Sequence, residues 1–173
     1  NIIDSSSITA NLGIGGAVIM NNKIRRGSLT VANTGTEKIL IYNNEFTGAA
    51  TGNTIITASG KVVISGNLIS NGGTGVNAGT GVKIIGNIFK GSSSYGLMIN
   101  APISGSISDV SILANKFLDM INYGILLSNG SGRTITYSNI LIQNNLFSNN
   151  IKAAEYQGGI YYNGQGSSLI TSK

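Results

Sequence analysis

The chain has 173 residues, enough for one domain with a hydrophobic core, and 41% of them are hydrophobic. It contains no cysteine and no histidine, which excludes disulfides, thiol chemistry, Cys/His zinc sites and Ser-His-Asp triads. The net charge is +5, but apart from Arg25-Arg26 the basic residues are scattered, unlike the basic stripe of a nucleic-acid surface. No apolar run approaches the roughly 20 residues that span a bilayer. We therefore expect no nucleic-acid partner, no membrane insertion and no cofactor.

One short pattern recurs along the chain: an apolar residue, any residue, Ile, two further residues, Asn, any residue and a large apolar residue. Its clearest copy is Val82–Phe89. The isoleucine and the asparagine recur as Ile19/Asn22, Ile41/Asn44, Ile64/Asn67, Ile84/Asn87, Ile112/Asn115 and Ile142/Asn145. Asn1 begins the tail of a seventh copy, and successive asparagines lie 20 to 30 residues apart. Self-similarity at this period predicts a stacked repeat protein.

Each copy predicts one coil of a β structure. The alternating apolar residues predict a short strand with one face inward. The asparagine predicts a turn, because it tolerates left-handed backbone angles and its amide bonds to nearby backbone. Coils stacked at roughly 4.8 Å would place these amides in one row, bonded to one another or to backbone. A second strand is predicted about eight residues later in most copies, at 75–76, 96–99, 124–127 and 159–162.

The coils lengthen toward the end of the chain. Residues 1–16 complete one coil through a glycine-rich turn, and the next coils are compact. Later insertions predict loops that stack into one wall beside a sheet, with drift in turn length as the alternative. These insertions are 100–109, 128–139 and 148–158. We expect one domain over 1–173, cut from a longer chain because both ends fall within a coil.

Many outward positions are also apolar, whereas a sheet face open to water should alternate apolar with polar residues. An exposed patch of this size is unusual for a monomer. We expect sister chains to cover it; a segment missing from the chain or an error in the assumed register are the alternatives. The outward apolar residues are Val18, Met20, Leu40, Tyr42, Val63, Ile85, Leu113 and Leu141, with Ile2, Leu68, Ile88 and Leu146 after the asparagines.

The repeat and its asparagine row resemble the right-handed parallel β-helix of the pectin-lyase-like superfamily, over essentially the whole chain. The resemblance implies an all-β, single-stranded parallel β-helix of about seven coils with an asparagine ladder. Pectate lyases, epimerases, phage tailspikes and adhesins share this fold, so it implies little about function. Tailspikes pack three such helices side by side, which implies a homotrimer here, in a virion tail or outside the cell.

Two tyrosines are candidate substrate-binding residues. Tyr95 and Tyr123 each lie eight residues after a repeat asparagine and directly before a glycine, so they should stack on adjacent coils beside the lengthened loops. Their rings can dock the apolar faces of sugars, and their hydroxyls can bond to sugar hydroxyls. The alternative is an aromatic stack that fills the turn corner.

Charged residues are further candidates. Asp119 and Glu155 come from neighbouring coils and form the one plausible catalytic carboxylate pair, for which glycosidases need a separation of about 5 Å or about 6.5–9.5 Å. Solvated turn residues are the alternative. Asp109, which precedes a strand, and Arg133, in a lengthened loop, are further candidate substrate-binding residues. Arg133 could bind a uronate or act as a base, with a solvated loop residue as the alternative. No column of acidic residues is predicted to hold calcium, so we expect no metal site.

Three functional hypotheses follow. The first is a phage tailspike-like receptor-binding protein that binds bacterial surface polysaccharide, with or without depolymerising it. The second is a secreted polysaccharide lyase or uronate epimerase. The third is a structural adhesin or fibre shaft with no ligand site. Whether the chain is an enzyme stays open; an active form would be a polysaccharide hydrolase or lyase.

Overall fold

The computed structural model describes residues 1–4, 7–12, 15–48, 53–100, 104–129, 134–150, 159–163 and 170–172. These residues form twenty-one β strands, numbered in chain order, and no helix. Within these ranges there is accordingly no helix long and apolar enough to cross a membrane.

The strands form three parallel sheets of seven strands each, and every third strand returns to the same sheet. Sheet A contains β1 (Ile2–Asp4), β4 (Lys23–Arg25), β7 (Glu45–Thr47), β10 (Leu68–Ser70), β13 (Ile88–Lys90), β16 (Lys116–Leu118) and β19 (Leu146–Ser148). Sheet B contains β2 (Ser7–Leu12), β5 (Ser28–Asn33), β8 (Thr54–Gly60), β11 (Thr74–Ala78), β14 (Tyr95–Ile99), β17 (Ile125–Ser128) and β20 (Ile160–Asn163). Sheet C contains β3 (Ala17–Met20), β6 (Ile39–Tyr42), β9 (Val62–Ser65), β12 (Lys83–Ile85), β15 (Gly105–Leu113), β18 (Ile135–Gln143) and β21 (Ile170–Ser172). The predicted all-β fold, a parallel β-helix, is confirmed.

The core is made of columns of like residues from successive coils. Ile64 pairs with Ile41 on one side and Ile84 on the other, and all three are fully buried. In sheet A, the ring centroids of Phe89 and Phe117 lie 4.7 Å apart with nearly parallel planes. Burying each such side chain contributes roughly 1.5–3 kcal/mol, so the repeated apolar positions hold the coils together.

The segment after each repeat asparagine is a strand of its own. Two strands per coil were predicted, but the coils have three, and the additional ones form sheet A. A strand such as β13 has three residues and a single fully buried side chain, Phe89. One inward residue gives no alternation that a sequence pattern can detect.

The repeat asparagines are hydrogen-bonded from coil to coil. The backbone N and Nδ2 of Asn67 both donate to Asn87 Oδ1 at 2.9 Å. Asn67 Nδ2 also donates to the carbonyl oxygens of Ile41 at 2.9 Å and Ser65 at 3.1 Å. Each buried amide is therefore satisfied within the turn, which ties sheet C of one coil to the turns of its neighbours. Amide-to-amide bonds of this kind connect Asn1, Asn22, Asn44, Asn67, Asn87, Asn115 and Asn145 in turn.

The left-handed residue of this turn precedes the repeat asparagine. The sequence pattern assigned left-handed angles to the asparagine itself, and that prediction is wrong. The asparagine needs ordinary backbone angles because its side chain must point inward to the amide row. The left-handed residues are Asn21, Asn43, Gly66, Gly86, Ala114 and Asn144, with φ between 54° and 65°.

Two of the predicted insertion loops are largely strand. β15 and β18 have nine residues each and pair from Gly105↔Ile135 to Leu113↔Gln143. Both strands contain a left-handed residue, Asp109 and Asn139, at which the chain turns from sheet B toward sheet C. The insertions at 100–109 and 128–139 therefore stack on one another as predicted over 105–108 and 135–138, but as paired strands instead of loops. Residues 101–103, 130–133 and 151–158 lie outside the described residues, and with them Arg133 and Glu155.

Candidate functional site

Tyrosine rings stack along the helix axis where the chain enters sheet B. The centroids of Tyr95 and Tyr123 lie 6.3 Å apart with planes 2° from parallel, so the predicted stack is confirmed. Tyr161 extends it, with its centroid 4.6 Å from that of Tyr123. Tyr123 is 4% exposed, whereas Tyr95 and Tyr161 are half-buried and still meet solvent. We name these three residues the tyrosine stack.

One end of the stack, Tyr161, lies on the outer surface of the helix. Tyr161 pairs with Leu126, which stands between the inward residues Ile125 and Leu127. Because successive side chains of a strand point to opposite faces, Leu126 and Tyr161 point outward. Tyr161 therefore lies on the outer face of sheet B, and Tyr123 and Tyr95 continue the stack at the corner where the chain enters the sheet.

Glycines after the tyrosines let the backbone approach the phenylalanine column. A Cβ at Gly96 would lie 2.5 Å from Phe117 Cδ1, and one at Gly124 would lie 2.6 Å from Phe147 Cδ1. Only glycine fits such an approach. The Tyr-Gly pairs in the sequence thus mark the corner where the chain enters sheet B.

The outer face of sheet B is uncharged. None of its seven described strands contains Asp, Glu, Lys or Arg. By strand register, one outward row changes from hydroxyl and amide side chains in the early coils to apolar and aromatic ones in the later coils. This row consists of Thr9, Thr30, Thr57, Asn77, Met98, Leu126 and Tyr161.

A groove of about 250 Å³ runs beside this row. Gly79 supplies no side chain between Ser59 and Asn100 of the neighbouring coils, which leaves a depression. The Oδ1 atoms of Asn77 and Asn100 are shielded from water and accept no hydrogen bond from any described residue. We name this depression the sheet B groove; it is lined by Thr57, Ala58, Ser59, Asn77, Gly79 and Asn100.

Asp119 lies at the same corner as the tyrosine stack, four residues before Tyr123. It is exposed, has a left-handed backbone with φ 59°, and accepts a hydrogen bond from Asn149 Nδ2 at 3.3 Å. Its suggested partner Glu155 is outside the described residues, so the catalytic pair stays a prediction.

Asp109 lies at the opposite edge of sheet B from the stack. The five residues of β14 separate the two edges by about 13 Å. Hydrogen bonds from Ser108 Oγ at 2.7 Å and Asn139 Nδ2 at 2.5 Å lower the pKa of Asp109. A carboxyl held ionised in this way is a poor proton donor. The structure brings Tyr95 and Tyr123 together but does not place Asp109 beside them.

A second depression, of about 330 Å³, lies near Arg26 in the first coils. Arg26 donates to both carboxylate oxygens of Asp4, at 2.9 and 2.7 Å, so its charge is already balanced. Over the described ranges, no group of three or more Asp or Glu residues could hold a metal ion.

The family of the chain follows from a comparison with protein-family models. Residues 2–173 match the model described as the right-handed beta helix region. The chain belongs to the right-handed β-helix family. Membership of this family suggests polysaccharide binding or a related function. Searches of curated proteins and of solved structures found no significant match.

Three site residues of this right-handed β-helix were missed from the sequence. Tyr161 is 16 residues after Asn145, not eight, because the insertion at 148–158 intervenes. Asn77 and Asn100 lie 23 residues apart and meet only through the stacking of their coils. Leu126 and Tyr161 each lie two residues after the glycine that leads into their strand, so counting from that glycine aligns them, whereas counting from the repeat asparagine does not.

Proposed function

We propose that this right-handed β-helix binds bacterial surface polysaccharide on the outer face of sheet B. The tyrosine stack carries the proposal. Tyr95 and Tyr161, the two end rings that meet solvent, offer apolar surface on which sugar rings can dock, next to an uncharged surface of hydroxyl and amide groups. These two rings lie roughly 10 Å apart along the axis, because one coil separates theirs, and this distance is enough to contact more than one sugar.

The stack and the sheet B groove can act on one ligand. Tyr95 begins β14 and Asn100 directly follows it, so the two lie about 16 Å apart across the sheet. Met98 lies between them on the outer face and gives an apolar surface. Binding sites for organic ligands typically combine such apolar contacts with a few polar groups that fix orientation.

We also propose a tailspike-like homotrimer assembled through sheets A and C, placed in a virion tail or outside the cell. Support comes from apolar side chains that no described segment covers, on sheet A and on sheet C. Ile2 and Leu146 are 70% and 52% exposed, and Val18 and Met20 are 55% and 46% exposed. Covering these sheets would leave sheet B facing solvent. Sedimentation equilibrium should give three times the mass of the chain; a monomer would contradict the assembly.

A binding assay tests the ligand proposal. Wild-type protein and a variant with Tyr95→Ala and Tyr161→Ala are incubated with an immobilised panel of purified bacterial capsular and O-antigen polysaccharides. Losing two stacking contacts of about 1 kcal/mol each should weaken binding at least tenfold. Tyr42→Ala removes a tyrosine far from sheet B, on the outer face of sheet C, and is the matched control. With the assembly state of wild type, it should bind within twofold of wild type.

Circular dichroism shows whether each variant folds, and sedimentation shows whether it assembles. Weaker binding by a variant that folds and assembles like wild type therefore reports a lost contact with the polysaccharide. Unchanged binding by the folded double variant would contradict the proposal and favour a structural shaft. Failure of the wild-type protein to bind any polysaccharide of the panel would also contradict the proposal and favour a structural shaft. Release of new reducing ends from a bound polysaccharide would show that binding is coupled to cleavage.

A further inference from the structure

Charges are distributed unevenly around the helix. Sheet A carries Asp4, Lys23, Arg25, Glu45, Lys90 and Lys116 on its strands, whereas the described strands of sheet B carry none. The charges of the described strands therefore lie away from the proposed binding face. A ligand on sheet B meets neutral groups.

The charged residue closest in sequence to the groove is turned away from it. Lys61 follows Ser59 by two residues, at the corner that leads to sheet C. Its Nζ donates to the carbonyl oxygen of Thr36, on the preceding coil, at 3.2 Å. Asn100 belongs to a later coil, so the side chain of Lys61 extends away from it along the helix axis. Lys61 thus gives no cation over the groove.

The groove offers acceptors that need donors. The Oδ1 atoms of Asn77 and Asn100 have no donor among the described residues, and a buried acceptor left unpaired is unfavourable. Both residues are only half-buried, and the terminal torsion of an asparagine is soft. Their amides can therefore rotate toward a donor that enters the groove.

Sugar hydroxyls and uronate carboxylates differ in what they offer such a site. A hydroxyl donates a hydrogen bond and can meet Asn77 or Asn100. An ionised carboxylate only accepts, and it loses hydration in a groove where no described cation balances its charge. The hydroxyls of Thr57 and Ser59 can donate to a carboxylate, but they are neutral.

We infer that the sheet B groove selects a neutral, hydroxyl-rich polysaccharide over an acidic one, with Asn77 and Asn100 accepting hydrogen bonds from its hydroxyls. This inference rests on the proposed function, because it names the class of glycan that the same face takes. A site that recognised a uronate would use a cation to pair with the carboxylate, and the described lining of the sheet B groove contains none.

The test compares charged and neutral forms of the same glycan. The panel contains neutral polysaccharides, and each acidic polysaccharide is present both as the native form and after chemical reduction of its carboxyl groups. Binding is measured at about 0.15 M and about 0.5 M salt, because the charge of +5 attracts acidic polymers nonspecifically and high salt screens that attraction. We expect the bound glycans at high salt to be neutral or reduced forms, with affinities at least about tenfold above those of native acidic forms.

A variant with Asn77→Ala and Asn100→Ala tests the two acceptors. Losing two hydrogen bonds should weaken binding of the neutral glycan about tenfold or more. Asn53→Ala, which removes an exposed amide outside the groove and outside sheets A and C, is the matched control and should leave binding unchanged. Circular dichroism confirms that both variants fold.

The outcomes are distinguishable. Equal or tighter binding of native acidic forms at high salt overturns the inference and leaves polysaccharide binding in place. Unchanged binding by the double asparagine variant also overturns it. Failure of wild-type protein to bind any member of the panel contradicts the proposed function, and the inference fails with it.

Discussion

Replacing one asparagine of the row should cost a large part of the stability of the fold. Asn87 is fully buried, and its Oδ1 accepts from the N and Nδ2 of Asn67 at 2.9 Å. Its Nδ2 donates to Ile64 O at 2.9 Å and to Asn115 Oδ1 at 3.0 Å. Asn87→Ala therefore deprives two buried backbone groups, Asn67 N–H and Ile64 C=O, of these bonds. At about 1–3 kcal/mol for each, we expect a loss of about 4 kcal/mol.

Urea denaturation followed by circular dichroism measures this loss as a difference in the free energy of unfolding. Alanine adds no backbone strain, because Asn87 is not left-handed. Asn53→Ala is the matched control: Asn53 is exposed and also lacks a left-handed backbone, so its loss should be below about 0.5 kcal/mol. Equal losses in the two variants would refute the reasoning, since backbone pairing alone would then hold the coils.

Three further predictions concern the core and two titrating groups. Gly96→Ala should destabilise by about 1–3 kcal/mol in the same denaturation assay, because the new Cβ would lie 2.5 Å from Phe117 Cδ1. Hydrogen bonds lower the pKa of Asp109 from its ordinary 3.8, so its contribution to stability is present above pH 3.8 and lost as the pH falls through the lowered pKa. The free-energy difference between wild type and Asp109→Asn, measured across this range, should therefore shrink in acid. Burial raises the pKa of Tyr137 to about 12, so the stability from its neutral phenol is complete below pH 10 and lost as the pH rises through about 12. Tyrosinate absorbance should show a component that ionises near pH 12 and that Tyr137→Phe removes.

Each of these three predictions has a control variant or a result that would contradict it. Gly15→Ala should be nearly neutral, because a Cβ there meets nothing within 4 Å. A difference between wild type and Asp109→Asn that grows instead of shrinking as the pH falls below 3.8 would contradict the assigned hydrogen bonds. If the late titration persists in Tyr137→Phe, another tyrosine is responsible for it.

Sheet C could be predicted because every copy of the repeat keeps the same spacing of apolar residues and places an asparagine at the same position. Ile64 and Asn67 lie three residues apart in a local pattern, and each copy repeats the same physical demand for a buried strand and a satisfied amide. Sheet A escaped prediction because Ile88–Lys90 is too short to alternate. The left-handed position was misassigned because Asn, Gly and Ala share it, so no single residue type marks it.

Part of the candidate site was readable from the sequence, because Tyr95 and Tyr123 keep the same distance from their asparagines. The sheet B groove was not readable. It depends on the missing side chain of Gly79 and on the register that brings Asn77 close to Asn100. Such contacts lie between coils, and the varying coil lengths hide them from any fixed period.

The most direct test of the account is a crystal structure of the protein with an oligosaccharide cut from a polysaccharide that it binds. We expect sugar rings packed against the tyrosine stack, with hydroxyls within hydrogen-bond distance of Asn77 and Asn100. An oligosaccharide bound to sheet A or sheet C, with the outer face of sheet B bare, would contradict the account.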